Sequence, residues 1–197
     1  MYFASEAIVV AVRSHGEHGA IVRVLTAEQG LLAGYVRGGR SRQLRPVLMA
    51  GNTVKADLRA RTETQLAAMT VELVHGRAGL IGEPLAAAAL EWSTALVAAA
   101  LPEGQSYPRI HAALSGLLDA VEAAPSARGW AKALVQFEKI VMAALGYGVD
   151  EKEDCADLAS DLRRSGRRLA ETILTDRRGA LLAARERLTE RLLRAVA

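Results

Sequence analysis

The stretch Asn52-Thr53-Val54-Lys55-Ala56-Asp57-Leu58-Arg59-Ala60-Arg61 alternates apolar and charged side chains almost residue by residue. Val54, Ala56, Leu58 and Ala60 fall on one face, and Lys55, Asp57, Arg59 and Arg61 on the other. An extended backbone with a period of two sorts them this way, so the stretch reads as a half-buried β-strand. Three apolar runs precede it: Ala7 to Val12 (AIVVAV), Ala20 to Leu25 (AIVRVL) and Leu31 to Val36. A fifth strand spans Gln65 to Val74. In the second run, Ile21, Arg23 and Leu25 share a face, and the lone Arg23 makes that face only partly buried. Turn formers separate the runs: His15-Gly16-Glu17-His18-Gly19, Glu28-Gln29-Gly30, Arg37-Gly38-Gly39 and Gly51-Asn52. Short strands at this spacing, with no long helix between them, predict a small closed barrel.

After Gly82 the pattern becomes helical. Pro84 suits a helix start, where its missing N–H costs nothing. The Ala- and Leu-rich stretch Leu85 to Leu101 stops at Pro102, and a second helix runs from Pro108 to Ala123. A third runs from Ser126, read as its N-cap, to Leu145, and Gly146-Tyr147-Gly148 stops it. Two more span Ser165 to Leu174 and Ala180 to Val196. No repeat of fixed period is present, which argues against a solenoid.

The chain has 197 residues, 51% hydrophobic and 24% charged, a globular balance that excludes disorder as the default state. Aromatics are only 4%, so the core is built from Ala, Leu, Val and Ile. The net charge is +3, and most of the positive charge is arginine. Arginine's planar fork suits phosphate and carboxylate. Cys155 is the single cysteine, so neither an internal disulfide nor a cysteine-based zinc site can form, which fits a reducing cytosol. The start Met-Tyr-Phe-Ala-Ser-Glu-Ala lacks a basic region and does not read as a signal peptide. No uncharged apolar run reaches membrane-spanning length.

The chemistry concentrates in Arg37-Gly38-Gly39-Arg40-Ser41-Arg42-Gln43-Leu44-Arg45-Pro46, a loop between strands with no acid in it. Glycines bring backbone close to a ligand and make the loop mobile. Lys55, Arg59 and Arg61, on the outer face of the next strand, extend the patch, with only Asp57 opposed to it. A loop plus one strand face is how a small barrel holds single-stranded nucleic acid. A solvated loop and a surface for an acidic protein are the competing readings. Aromatic platforms are scarce in this half, only Tyr2, Phe3 and Tyr35, so phosphate contacts should dominate.

Nothing else forms a catalytic set. His15 and His18 share a turn with no third ligand near in sequence; His75 and His111 stand apart. There is no phosphate-cradling Gly-Lys-Ser/Thr motif, and Ser115-Gly116 lacks the glycines of a nucleophile elbow. Asp150, Glu151, Glu153 and Asp154, beside Cys155, read as a solvated acidic loop rather than a metal site. The C-terminal arginines, among them Arg163, Arg164, Arg167, Arg168, Arg187 and Arg194, alternate with acids, and Glu190 can pair with Arg187 and Arg194 at helical spacing.

These residues resemble the RecO family of recombination mediators. Early strands flank the His15-Gly16-Glu17-His18 turn. Leu31 to Arg42 is similar to the family's strand followed by a glycine, a small residue and a basic stretch. Phe137-Glu138, Leu145-Gly146-Tyr147-Gly148-Val149-Asp150 and Cys155 resemble its Phe-Glu helix ending in Leu-Gly-Tyr. Ser165-Gly166-Arg167-Arg168-Leu169 and the closing helix resemble its last helices.

The resemblance implies an α+β chain: a five-stranded OB-fold barrel over residues 1–80, then an all-helical domain over 81–197. It implies no enzymatic activity, binding of single- and double-stranded DNA, annealing of complementary strands, and partnership with RecR. It also implies docking on the acidic tail of single-strand DNA-binding protein and, indirectly, loading of RecA in the bacterial cytosol at the nucleoid. A general RNA- or DNA-binding barrel protein with a partner-docking helical half is the alternative. Some members carry a zinc-binding cysteine cluster after Leu-Gly-Tyr; here only Cys155 remains and Leu158 follows, so no metal or cofactor is expected. A tail receptor needs an apolar groove with a basic rim. The helix Ser126 to Leu145 offers Leu134, Phe137, Val141 and Leu145 on one face, with Arg128, Lys132 and Lys139 beside it. Arg128, Lys132, Phe137 and Lys139 are therefore the partner-site candidates, the competing reading being that the stripe is core and the groove lies nearer Arg163, Arg167 and the closing helix.

Overall fold

Val54, Ala56 and Leu58 are buried, and Lys55 and Arg59 between them are exposed, as a period of two requires. They belong to β4 (Thr53–Arg59) of the computed structural model, which describes residues 2–60, 62, 65–124, 126–148, 157–174 and 179–196. The other strands are β1 (Tyr2–His15), β2 (Gly19–Thr26), β3 (Gly30–Val36) and β5 (Ala67–His75). They close into a barrel in the order β1-β2-β3-β5-β4, the OB-fold arrangement. β1 is long enough to serve two neighbours. Its first half pairs with β4 from Tyr2↔Arg59 to Ile8↔Thr53, and its second half with β2 from Ile8↔Leu25 to His15↔Gly19. A bulge between Val9 and Ala11 lets the strand turn that corner. β3 and β5 meet in parallel over Gly34↔Ala67 and Tyr35↔Ala68. Gly34 is required there, because a Cβ would stand 2.7 Å from Met69.

The barrel core consists of alternate inward residues, including Val9, Val22, Val24, Val36, Val54 and Met69. Its end is plugged by α1 (Leu44–Val47), a single turn inside the Arg-rich loop that local sequence does not announce. Leu44, Val47 and the buried Leu48 pack on the core. The loop glycines also act differently from the expectation of mobility. Gly38 turns the chain at φ +70°, but Gly39 is buried, and a Cβ on it would lie 2.7 Å from that of Ala20.

The helices are α2 (Pro84–Ala100), α3 (Pro108–Ala123), α4 (Ala131–Ala144), α5 (Leu158–Thr172) and α6 (Gly179–Val196). Pro84 and Pro108 each open a helix. Ser126 makes no side-chain capping bond; a 3-10 turn, Ala127–Gly129, follows it, and α4 begins only at Ala131. α5 starts seven residues before Ser165 because Asp157 caps it, accepting from Ser160 N at 2.8 Å. Those capping bonds hold the Asp157 carboxyl below its ordinary pKa.

The chain separates into two compact units. One is residues 1–79 with 97–111; the other is 80–96 with 112–197. In the first, the returning segment covers the outer face of β2 and β3. Gly104 N donates to Leu31 O at 2.9 Å, Arg23 donates to Ala98 O and pairs with Glu103 at 3.1 Å, and Ser106 donates to Ala27 O. A Cβ on Gly30, at φ +69°, would strike the Gln105 carbonyl. In the second, Trp92, Leu117, Trp130, Leu134, Phe137 and Leu188 are among the buried core residues.

Candidate nucleic-acid interface

Arg37 leaves β3 and is exposed, as are Arg40, Arg42 and Arg45. The loop that carries them is built, not loose. Ser41 N donates to Gly38 O at 2.8 Å, and the Ser41 hydroxyl accepts from Leu44 N at 3.2 Å. Asn52, fully buried, donates from its carboxamide to Pro46 O at 2.8 Å and Val47 O at 3.0 Å. Its oxygen accepts from Arg77 N at 2.9 Å, and the buried Arg77 guanidinium donates to Gly51 O at 2.7 Å. This network ties the plug helix to the end of β5, and sequence reasoning passes over both residues. Arg40 is also engaged: its guanidinium donates to Glu17 O at 3.0 Å and Gly16 O at 3.4 Å, fastening the loop to the β1–β2 turn. The bonds use neutral carbonyls, so the positive charge of Arg40 is not cancelled. A groove of about 520 Å³ runs past Arg40 and Arg45 between Val12, Ser14 and Met49.

The strand cations are placed differently from the sequence expectation. Lys55 stands between Glu6 of β1 and Glu72 of β5 in the register, so two carboxylates flank it. Facing side chains on neighbouring strands lie about 5 Å apart, close enough for those charges to offset it. Arg59 lies over the exposed Tyr2 ring at 5.4 Å, and the Tyr2 hydroxyl donates to Asp57 at 3.0 Å. That bond and the Asp57 charge raise the phenol pKa. Lys55 and Arg59 oppose residues 6 and 2 of β1, whereas the loop stands at residues 15–20, by the other end of that strand. At about 3.3 Å per residue the separation is roughly 30 Å, less what the bulge takes up. Arg61 lies outside the described residues.

On the helical side Arg128 and Lys132 are exposed. Phe137 is 1% exposed and belongs to the core, and Lys139 is buried beside Asp161 at 3.9 Å. The stripe expected to line a peptide groove therefore faces inward: Leu134, Phe137 and Val141 are all buried. Glu138 is completely buried next to them. Its Oε1 accepts from Arg185 Nε at 2.5 Å and Trp92 Nε1 at 2.8 Å; its Oε2 accepts from Arg185 Nη2 at 2.7 Å and Ser165 Oγ at 2.5 Å. The pairing of Glu138 with Arg185 has no local signal, since 46 positions separate them. Among the described residues no three His, Cys, Asp or Glu side chains converge as metal ligands. The acidic stretch 150–154 and Cys155 lie outside the described residues.

Comparison with known proteins agrees with this architecture at both ends. The family model described as Recombination protein O N terminal matches residues 1–77, and the one described as Recombination protein O C terminal matches residues 82–197. The chain belongs to the RecO family. Similar proteins include the DNA repair protein RecO of Jannaschia sp. (strain CCS1), 38% identical over 173 residues, covering 85% of this chain and 69% of that protein. The DNA repair protein RecO of Paracoccus denitrificans is 40% identical over 150 residues, covering 76% and 61%. That of Rhodospirillum rubrum is 40% identical over 175 residues, covering 84% and 69%. This RecO-family chain thus spans between 61% and 69% of the length of these relatives. No described helix is long and apolar enough to cross a membrane.

Proposed function

We propose that this RecO-family chain is a non-enzymatic DNA-binding mediator of recombination in DNA repair, working in the bacterial cytosol at the nucleoid. It anneals complementary single strands, binds double strands as well, and helps load RecA onto DNA coated with single-strand DNA-binding protein. RecR and the acidic tail of the coating protein are its direct partners. Residues 1–80 carry the nucleic-acid role and 81–197 the docking role. The observation that carries the reading is the loop itself. Arg37, Arg42 and Arg45 are exposed on a scaffold fixed by Asn52, Arg77 and the plug helix, and the loop from Arg37 to Pro46 contains no carboxylate. A rigid cluster of guanidinium groups suits phosphates, and backbone contacts do not depend on base sequence. On the docking side, Arg128 and Lys132 supply the basic rim for an acidic tail, while Phe137 and Lys139, committed to the interior, do not touch it.

Annealing of complementary strands precoated with single-strand DNA-binding protein tests the proposal directly. The chain should accelerate it. Replacing Arg37, Arg42 and Arg45 by Ala should abolish the acceleration and flatten the log–log salt dependence of single-strand binding by roughly 2 units. Arg40 is left in place because it holds the turn. Unchanged affinity and slope would move DNA binding off this loop.

A further inference from the structure

The register of the barrel assembles a row that no stretch of sequence contains. Arg13 pairs with Ile21, Ile21 with Tyr35, Tyr35 with Ala68, Ala68 with Arg59 and Arg59 with Tyr2. Paired residues share a face, and this face is the outer one, because Val12, Val22 and Leu58 beside them point inward. Arg13, Ala68, Arg59 and Tyr2 are exposed, and Ile21 and Tyr35 are half-buried. Five inter-strand steps at about 4.8 Å make the row roughly 24 Å long.

Three features set this row apart. It holds cations and aromatic rings but no carboxylate, whereas a parallel row on β1, β4 and β5 places Glu6 and Glu72 around Lys55. Its rings are held in place. Tyr35 lies across Gly19, where a Cβ would strike the ring, and His15 meets it edge-on at 5.9 Å and 80°. Tyr2 is held by Arg59 and Asp57. Finally, the neighbouring outward positions on β2 and β3 are taken: Leu25 and Leu31 are fully buried, and Arg23 is bound to Ala98 and Glu103.

We infer that a single DNA strand crosses the outside of the barrel along this row, stacking bases on Tyr35 and Tyr2 while Arg13 and Arg59 hold its phosphates. The inference rests on the DNA-binding reading above and deepens it. Aromatic rings accept any base, because every base has a π-face, so the row would add affinity without adding sequence preference. It also enlarges the role given to aromatics in this half: two well-placed rings suffice where phosphate contacts alone were expected.

Fluorescence anisotropy with the full chain separates the two contributions. One labelled probe is an oligo-dT; the other is an all-abasic chain of equal length, with the same phosphates and no bases. The wild type should bind oligo-dT about tenfold more tightly than the abasic chain. Tyr35→Leu should weaken oligo-dT binding at least about fivefold, leave the abasic probe within about twofold, and keep the salt slope; Tyr35→Phe should behave as wild type. Arg13→Gln should weaken both probes equally and flatten the slope by about 0.7. Tyr2→Leu, at an exposed ring outside the core, repeats the stacking test should Tyr35→Leu fail to fold. Equal wild-type affinity for the two probes overturns the stacking row and leaves the loop reading intact. Failure to bind either probe overturns both.

Discussion

Glu138 and Arg185 form an ion pair removed from water, and the pair is completed by neutral groups. Trp92 and Ser165 supply the two further hydrogen bonds that the carboxylate accepts, and Arg185 also lies over the Trp92 ring at 5.9 Å and bonds Thr189. Desolvating both charges is costly, and the gain comes from excellent geometry and full satisfaction of the remaining lone pairs. Such a pair contributes specificity more than net stability: only one arrangement of α2, α4, α5 and α6 brings its four members together. Glu138→Gln removes the charge and leaves a buried guanidinium uncompensated, so it should destabilise the chain by about 3–5 kcal/mol. Urea denaturation at neutral pH measures this. A loss below about 1 kcal/mol would mean that the guanidinium finds water when its partner is neutral.

The plug helix α1 depends on one side chain in the same way. Asn52 caps its last carbonyls and, through Arg77, anchors it to the strand that follows. Asn52→Leu keeps the volume but orphans buried backbone groups, at a cost of about 2–4 kcal/mol. Hydrogen exchange should then report lost protection at the Arg77 amide, and oligonucleotide binding should weaken as Arg45 loses its seat. Full protection at Arg77 would refute this anchoring. Elements such as α1 are hard to foresee. It has four residues, includes Pro46, and shows no apolar period; the open end of the barrel makes it helical. β4, by contrast, is fully readable, since its alternation is local. β1 reads short at its start because the Tyr2–Glu6 stretch is held by pairing with β4 rather than by hydrophobicity. The basic loop was readable as a cluster. The offsetting of Lys55 was not, because Glu6 and Glu72 lie far from it in sequence and reach it only through register. Phe137 shows the limit of a helical stripe: its spacing marks a buried face but does not say whether a neighbour or a peptide buries it.

For the chain taken entire, the proposal assigns DNA to the barrel and the acidic tail to the helices, so the two activities should be separable by mutation. Arg128→Glu with Lys132→Glu should weaken binding of the tail peptide several-fold at low salt, where screening is least, and leave oligonucleotide affinity unchanged. Titration of labelled peptide and labelled DNA against the same preparation gives both numbers. Peptide affinity equal to wild type would relocate the docking site, and the groove of about 580 Å³ lined by Arg163, Arg167 and Leu193 is the next place to test.

The segment 97–106 lies on the barrel although the chain has by then left it through most of α2. Leu25 and Leu31 owe their dryness to a stretch that follows them by some seventy residues of chain. The barrel is therefore not a cassette. A gene fusion that borrowed only the strands would inherit a β2–β3 face stripped to its leucines, prone to adhere to whatever protein it met. Descent with shuffling can exchange this unit only by carrying the return segment along. The two halves are bound to be inherited together by the route of the backbone itself, before any advantage of joint function is considered.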